Sequence, residues 1–388
     1  MLLLNKKIFI YIFSVLLCSL ICSCKTSLEL IPISNNVPTL PVSGVVNAEN
    51  GSFFRKNNTI LCLSDDCILE LNKDGYKLKQ GTLIESTSSL KRKIKKIDYQ
   101  TLFPSVTGSF SFFRMLIPKK FYVEDMTFSV KYFDGEKLQD SKKGHVYSYY
   151  EDSQINFYGV FLPFSPLYEQ ERYLLSININ FRDGEKVVIY STGLIGKTVY
   201  KEQTLKFPAK KSKDLESASR KKYKIQQAAR HELWKITNQP LNREILKVVK
   251  PLDNMARMTS DFCFTRKWIL NNGKLYSRDV HLGVDYGVPT GTPIYSILDG
   301  VVVSSGLQEL YGNMIIVDHG LGLYTNYCHM NKRLKKADTL IKKGEALGEV
   351  GMTGAATGPH LHIEARIYGI PIDYRKLDCL PELFVVEP

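Results

Sequence analysis

Two stretches of the chain alternate apolar and polar residues with a period of two. Met126, Phe128, Val130 and Tyr132 alternate up to Asp134-Gly135, and Leu175, Ile177, Ile179 and Phe181 alternate up to Asp183-Gly184. Each pattern is that of a half-buried strand running into a tight turn, so two hairpins are predicted, and the likeness of FDGEK to RDGEK at their tips marks a repeated hairpin. Short runs of this kind, with no long helical pattern, fill residues 43–206. They predict an antiparallel β-sandwich region of one or two immunoglobulin-like units. No catalytic constellation lies in it, and its single histidine, His145, reads as a solvated loop residue.

From Ser212 the period changes. Leu215, Ala218, Ile225, Ala229, Leu233 and Ile236 fall at helical steps of three, four and seven, which predicts an amphipathic helix of about 25 residues, bracketed by Pro208 and Pro240. Residues 207–244 are therefore expected to connect the sandwich to a C-terminal domain at 245–388. Charge sharpens this picture. The whole chain of 388 residues carries +13, and residues 206–250 hold 13 Lys and Arg against 4 Asp and Glu, so +9 of it is local. The face bearing Lys213, Arg220, Lys221, Lys224 and Arg230 is either a docking surface for an anionic polymer or lipid headgroups, or a solvated face. His231 on this helix reads as structural.

The first residues form an address rather than a fold. Lys6 and Lys7 precede an uncharged apolar run from Ile8 to Cys22, too short to span a bilayer comfortably. The run ends in Leu20-Ile21-Cys22-Ser23-Cys24, which resembles a bacterial lipobox, with Cys22 a departure from the usual small residue. Residues 1–23 are thus expected to be an export signal of lipoprotein type, with Cys24 lipidated. An ordinary cleaved signal is the alternative. Residues 24–42, with Pro32, Pro38 and Pro41, read as a tether. Of the eight cysteines, five lie beyond Cys24, so at least one of these thiols stays unpaired, and Cys62 and Cys67 are spaced to close a small local loop. The composition, 44% hydrophobic, 23% charged and 11% aromatic, excludes wholesale disorder and a polytopic membrane protein.

Five of the seven histidines lie between 281 and 362, in a region dense in glycine and β-branched residues. Gly283, Gly287 and Pro289 disfavour a helix around His281-Leu282-Gly283-Val284-Asp285, so extended chain is predicted, with His281, Gly283 and Asp285 on one face and the missing side chain of Gly283 leaving room for an ion. His360 and His362 share a face of a second strand by the same alternation. Two imidazoles and a carboxylate are the donor set of a catalytic zinc, three protein ligands leaving a fourth position to water.

With these residues in view, positions 255–375 resemble the lysostaphin-type (LytM-like, β-lytic) zinc metallopeptidases. HxGxD stands as His281–Asp285, GTP plus an aliphatic as Gly291-Thr292-Pro293-Ile294, YGN as Tyr311-Gly312-Asn313 and HGxG as His319–Gly322. YxH is Tyr327-Cys328-His329, and GxTGxxTGPHLHxE runs from Gly351 to Glu364. The resemblance implies an antiparallel β-sheet metallopeptidase domain, one zinc held by His281, Asp285 and His362, and a catalytic pair, His329 and His360. His329 is the expected general base and His360 the expected stabiliser of the oxyanion or orienter of water, two roles the sequence does not separate. His319 reads as structural. Glu364 either supports His362 from behind or packs at a surface. Where relatives carry Phe-Gly before HxGxD this chain has Phe262-Cys263, so that turn is expected to be looser or differently shaped, while the following Arg is present as Arg266. Cys328 is expected to be buried.

The resemblance thus implies an exported zinc endopeptidase acting on peptidoglycan stem peptides or cross-links, with D-alanyl to diamino-acid bonds the expected target. Its expected setting is the periplasm or cell envelope, at the membrane through a lipid anchor, with a regulatory wall or divisome protein as a further partner. A non-catalytic scaffold with a structural metal is the rival reading; two further histidines beside the ligands argue against it. Nucleic acid is not an expected partner, because the basic segment lacks interleaved aromatics and the chain carries an export signal.

Overall fold

A computed structural model describes residues 105–206 except 152 and 168, residues 226, 229, 232–234 and 248–253, residues 257–379, and the backbone of five strands between Ser52 and Leu102. The expected signal, the lipidated Cys24, the tether and most of the basic helix lie outside the described residues, as do the Cys62 and Cys67 side chains. Of the helix, Gln226, Ala229, Glu232 and Leu233 are described and are helical.

Both predicted hairpins form. Val123–Asp134 returns as Lys137–His145 through a turn at Gly135, and Arg172–Phe181 returns as Lys186–Leu194 through Gly184. Met126, Phe128, Val130 and Tyr132 are buried, as are Leu175, Ile177, Ile179 and Phe181. The two hairpins lie side by side, Arg172 opposite Phe133, so their turns sit at opposite ends of one antiparallel sheet that Gly75–Ser86 extends. His145 ends a strand instead of lying in a loop, exposed and 3.2 Å from Asp125 Oδ1.

A second antiparallel sheet is ordered Asp98–Leu102, Phe110–Pro118, Ile155–Pro163, Ser148–Glu151. Its two central strands read as near-continuous apolar runs because both faces are buried. Phe113, Met115, Ile117, Tyr158, Val160 and Leu162 pack on the first sheet. Phe110, Phe112, Phe157 and Phe161 turn the other way and join the core of the C-terminal domain, among Leu361, Ile363 and Ile372. Sandwich and C-terminal domain therefore share a packed core, which the sequence pattern alone did not foresee.

The C-terminal domain is built on one antiparallel sheet ordered Met258–Ser260, Val284–Gly287, His360–Ile367, Leu323–Met330, Gly312–Asp318, Gly300–Gln308, Leu340–Ile341. One face carries Val284, Leu361, Ile363, Ala365 and Tyr327 into the shared core. The opposite face carries Asp285, His362, Glu364 and Arg366. A smaller sheet sets Glu202–Lys206, which follows the sandwich, parallel to Thr265–Ile269, itself paired with Leu275–Val280.

Candidate metal centre

Register brings the first two candidate residues together: Asp285 lies directly opposite His362, so their side chains leave the same face of adjacent strands. His281 arrives differently. The predicted strand through His281 begins only at Val284, and His281 sits in the link after Leu275–Val280. Its amide donates to Phe264 O and its carbonyl accepts from Cys263 N at 2.7 Å. Cys263 has φ 60°, the left-handed conformation that the usual glycine of this turn would adopt easily. The turn thus takes a glycine-like shape with a cysteine in it.

His281, Asp285 and His362 are buried, and one ligand atom from each converges. His281 Nε2 is 3.0 Å from Asp285 Oδ1 and 2.9 Å from His362 Nδ1, and His362 Nδ1 is 2.7 Å from Asp285 Oδ1. The outer nitrogens are committed elsewhere. His281 Nδ1 donates to Asp261 O at 2.7 Å and His362 Nε2 donates to Glu364 Oε1 at 3.1 Å. These bonds fix the tautomers, leaving two imidazole lone pairs and a carboxylate oxygen aimed at one point. Three acceptors in a buried pocket repel one another unless a cation lies among them, so the donor set fits a metal ion.

The electrostatics also calls for a cation among these acceptors: the carboxylates beside His362 favour its protonated form, and a metal ion would replace that proton. Burial pushes the His281 pKa down to about 4, with Asp285 only partly countering it. His362 is equally buried, yet Asp285 and Glu364 face it and lift its pKa to about 9. Asp285 stays well below the usual carboxylate range, since the facing imidazoles overcome the desolvation cost, and Arg266 holds its outer oxygen.

Gly283 serves a different purpose from the one its place in HxGxD suggested. A Cβ there would stand 2.4 Å from Ile363 O and 2.8 Å from His362 Cε1. Its missing side chain makes room for the neighbouring strand and the His362 ring, not for the ion itself.

His329 and His360 flank the three. Their rings are 4.7 Å apart, and the His329 ring is 5.9 Å from that of His362. Strict alternation would send His329 into the shared core, because its neighbour Cys328 pairs with His362 and shares that residue's face. A left-handed backbone, φ 59°, breaks the alternation and returns His329 to the site. His329 Nδ1 donates to Thr353 O at 2.7 Å and His360 Nδ1 to Gly358 O at 2.8 Å, leaving Nε2 of each for chemistry. His360 Nε2 lies 3.9 Å from Asp285 Oδ1. Burial lowers both pKa values, which favours the neutral form of each ring.

The flanking motifs support this pair. Gly312, with φ 62°, packs so closely on Thr353 that a Cβ would meet Thr353 Oγ1 at 2.3 Å, and Asn313 N donates to that same oxygen. The YGN turn thereby positions the residue whose carbonyl holds His329. His319 is structural, with Nδ1 on Asp299 O and Nε2 on Thr325 Oγ1. Cys328 is buried. Glu364, 1% exposed, supports His362 and is itself held by Asn326 Nδ2 and Arg366 Nε, each at 3.0 Å. Asn326 and the carbonyls of Asp261, Thr353 and Gly358 carried no signal in the sequence. Arg366 was legible only as the next same-face position after Glu364.

Residues 279–374 match the model of peptidase family M23. The DD-carboxypeptidase/endopeptidase Mpg of Neisseria meningitidis is 39% identical over 118 residues, 30% of this chain and 26% of that protein. The peptidoglycan DD-endopeptidase ShyC of Vibrio cholerae is 40% identical over 102 residues, 26% of this chain and 23% of that protein. The chain thus spans about a quarter of the length of these curated relatives. The catalytic domain of lysostaphin from Staphylococcus simulans is 27% identical and matches 31% of this chain and 90% of that one, with a TM-score of 0.27.

Proposed function

Since residues 279–374 form a peptidase family M23 domain, we propose that this protein is a zinc-dependent endopeptidase that hydrolyses peptidoglycan stem peptides or cross-links. The observation that carries the reading is the convergence of His281 Nε2, Asp285 Oδ1 and His362 Nδ1 beside two further histidines whose Nδ1 atoms are already bonded to backbone. His281, Asp285 and His362 would hold the zinc, which would supply Lewis acidity there, acidifying a water and polarising a carbonyl.

The chain's own residues do the rest. His329, neutral and anchored through Nδ1, takes a proton from the attacking water at Nε2 and returns it to the departing amine as the peptide C–N bond breaks. His360, beside Asp285, orients the water and hydrogen-bonds the carbonyl oxygen as charge develops there. Glu364 and Asp261 hold the ligand imidazoles in the tautomers that the metal needs.

The bond we favour is the D-alanyl to diamino-acid cross-link, in keeping with the DD-endopeptidase activity for which the Neisseria and Vibrio relatives are named. We further read residues 1–23 as an export signal, Cys24 as the lipidated residue that holds the protein at the envelope, and 43–206 as an immunoglobulin-like sandwich joined to 245–388 by the basic segment. Digestion of defined cross-linked muropeptides with and without a chelator tests the reading. Chelator-sensitive release of the two stem peptides is expected, and intact cross-links in the presence of zinc would refute it.

A further inference from the structure

Trp234 lies in the connector between sandwich and metallopeptidase domain, yet it is 3% exposed. It packs with Met314, Ile316, Tyr324 and Cys328 on the face of the central sheet that also bears the metal centre. Its indole lies against the guanidinium of Arg366, 4.2 Å from ring centroid to Cζ. Arg366 is tied down on two further sides, by Nη1 to Gly369 O at 2.9 Å and by Nε to Glu364 Oε2 at 3.0 Å. Glu364 in turn accepts from His362 Nε2. An unbroken buried line therefore runs from the connector to a candidate metal ligand: Trp234, Arg366, Glu364, His362.

Each link is of a kind that depends on position. A guanidinium over an indole face is attracted by the ring quadrupole, more strongly when both are shielded from water. A carboxylate hydrogen-bonded to the far nitrogen of a ligating histidine fixes the ring and raises its basicity, and loss of such a partner typically lowers metal affinity about 10–100-fold. Removing the indole would leave Arg366 with its outer face uncovered and Glu364 less firmly set.

We propose that Trp234 is a positioning residue through which the docked connector sets Glu364, and with it the affinity of the His281, Asp285 and His362 centre for zinc. The inference rests on the zinc reading above and adds a coupling to it. Because coupling between two equilibria is reciprocal, zinc binding must also favour docking of the connector.

The test uses the full chain and zinc alone, with affinity read by competition against a chelating dye. Trp234→Ala is expected to weaken zinc binding about tenfold, and Trp234→Phe, which keeps an aromatic face, to recover most of it. Leu233→Ala is the control, because Leu233 packs against the same cluster and is not part of the line; it should lower the melting temperature while leaving zinc affinity within about twofold. Equal loss of affinity in Leu233→Ala and Trp234→Ala, or unchanged affinity in Trp234→Ala, would overturn the relay. Should Trp234→Ala fail to fold, hydrogen exchange on the unaltered chain decides: zinc should slow exchange at Glu232, Leu233 and Trp234, and identical exchange with and without zinc refutes the coupling. A wild-type chain that binds no zinc overturns the underlying reading as well.

Discussion

Asp285 and His362 face each other across adjacent antiparallel strands, with Oδ1 2.7 Å from Nδ1. This contact depends on register. A slip of one residue would carry one partner to the opposite face of the sheet, into the apolar core, and the donor set would be lost. Register is secured by that core, where Val284, Leu361 and Ile363 are fully buried on the other face. The hydrophobic pattern thus decides which polar atoms meet.

If the three donors hold one zinc, the wild-type chain should contain about one equivalent by elemental analysis. His281→Ala, Asp285→Ala and His362→Ala should each lose most of it. Full occupancy in both histidine variants would mean that the metal sits elsewhere.

Retention of zinc should separate His329 and His360 from the ligands. His329→Asn suits the left-handed backbone at φ 59°, so the fold should survive while turnover falls at least about a hundredfold. His360→Ala should likewise keep its zinc and lose turnover. Wild-type turnover in His329→Asn would remove that residue from the chemistry.

Gly283→Ala should damage the site through space alone. Its Cβ would stand 2.4 Å from Ile363 O, a backbone atom that cannot swing away, and within 3 Å of the His362 ring. Reduced zinc affinity together with a lower melting temperature is expected, and a variant that matches wild type in both would show that the strands part easily.

Asp318 offers a pH signature away from the metal. Burial raises its pKa to about 6, partly offset by the Gly320 amide at 2.8 Å. The folded chain therefore binds this proton more tightly than the unfolded chain does. Stabilisation from protonation is fully present below about pH 4, declines as pH rises, and is gone above about pH 6. Asp318→Asn, whose Oδ1 still accepts from Gly320, should thus gain on wild type between pH 4.5 and 7.5, by on the order of 1–3 kcal/mol. Urea denaturation at the two pH values measures it; a difference that stays constant would place the Asp318 titration in the ordinary range.

Local patterns that the sequence carries in full were legible in it. The two hairpins follow from period-two burial and Asp-Gly turns, and the sharing of a face by His360, His362 and Glu364 follows from alternation, which needs no partner strand to be read. The motif order also singled out five candidate residues, which the fold brings close together. The Phe110–Pro118 and Ile155–Pro163 strands are apolar on both faces, and the assembled core shows why: one face meets the sandwich, the other the C-terminal domain.

What tertiary structure alone decided are the relations between segments distant in sequence and the departures from ideal backbone. Alternation cannot foretell that His329 turns back to the site, since its positive φ accompanies bonds to the backbone of Tyr311 and Thr353, residues distant from it in sequence. Nor does a helical stripe reveal that Trp234 meets Arg366, or that Glu202–Lys206 lies parallel to Thr265–Ile269. The sequence determined which side chains share a face, because that is a property of a single strand's geometry. Which faces meet depends on how distant strands pack to bury apolar surface, and that is settled only when the whole chain has folded.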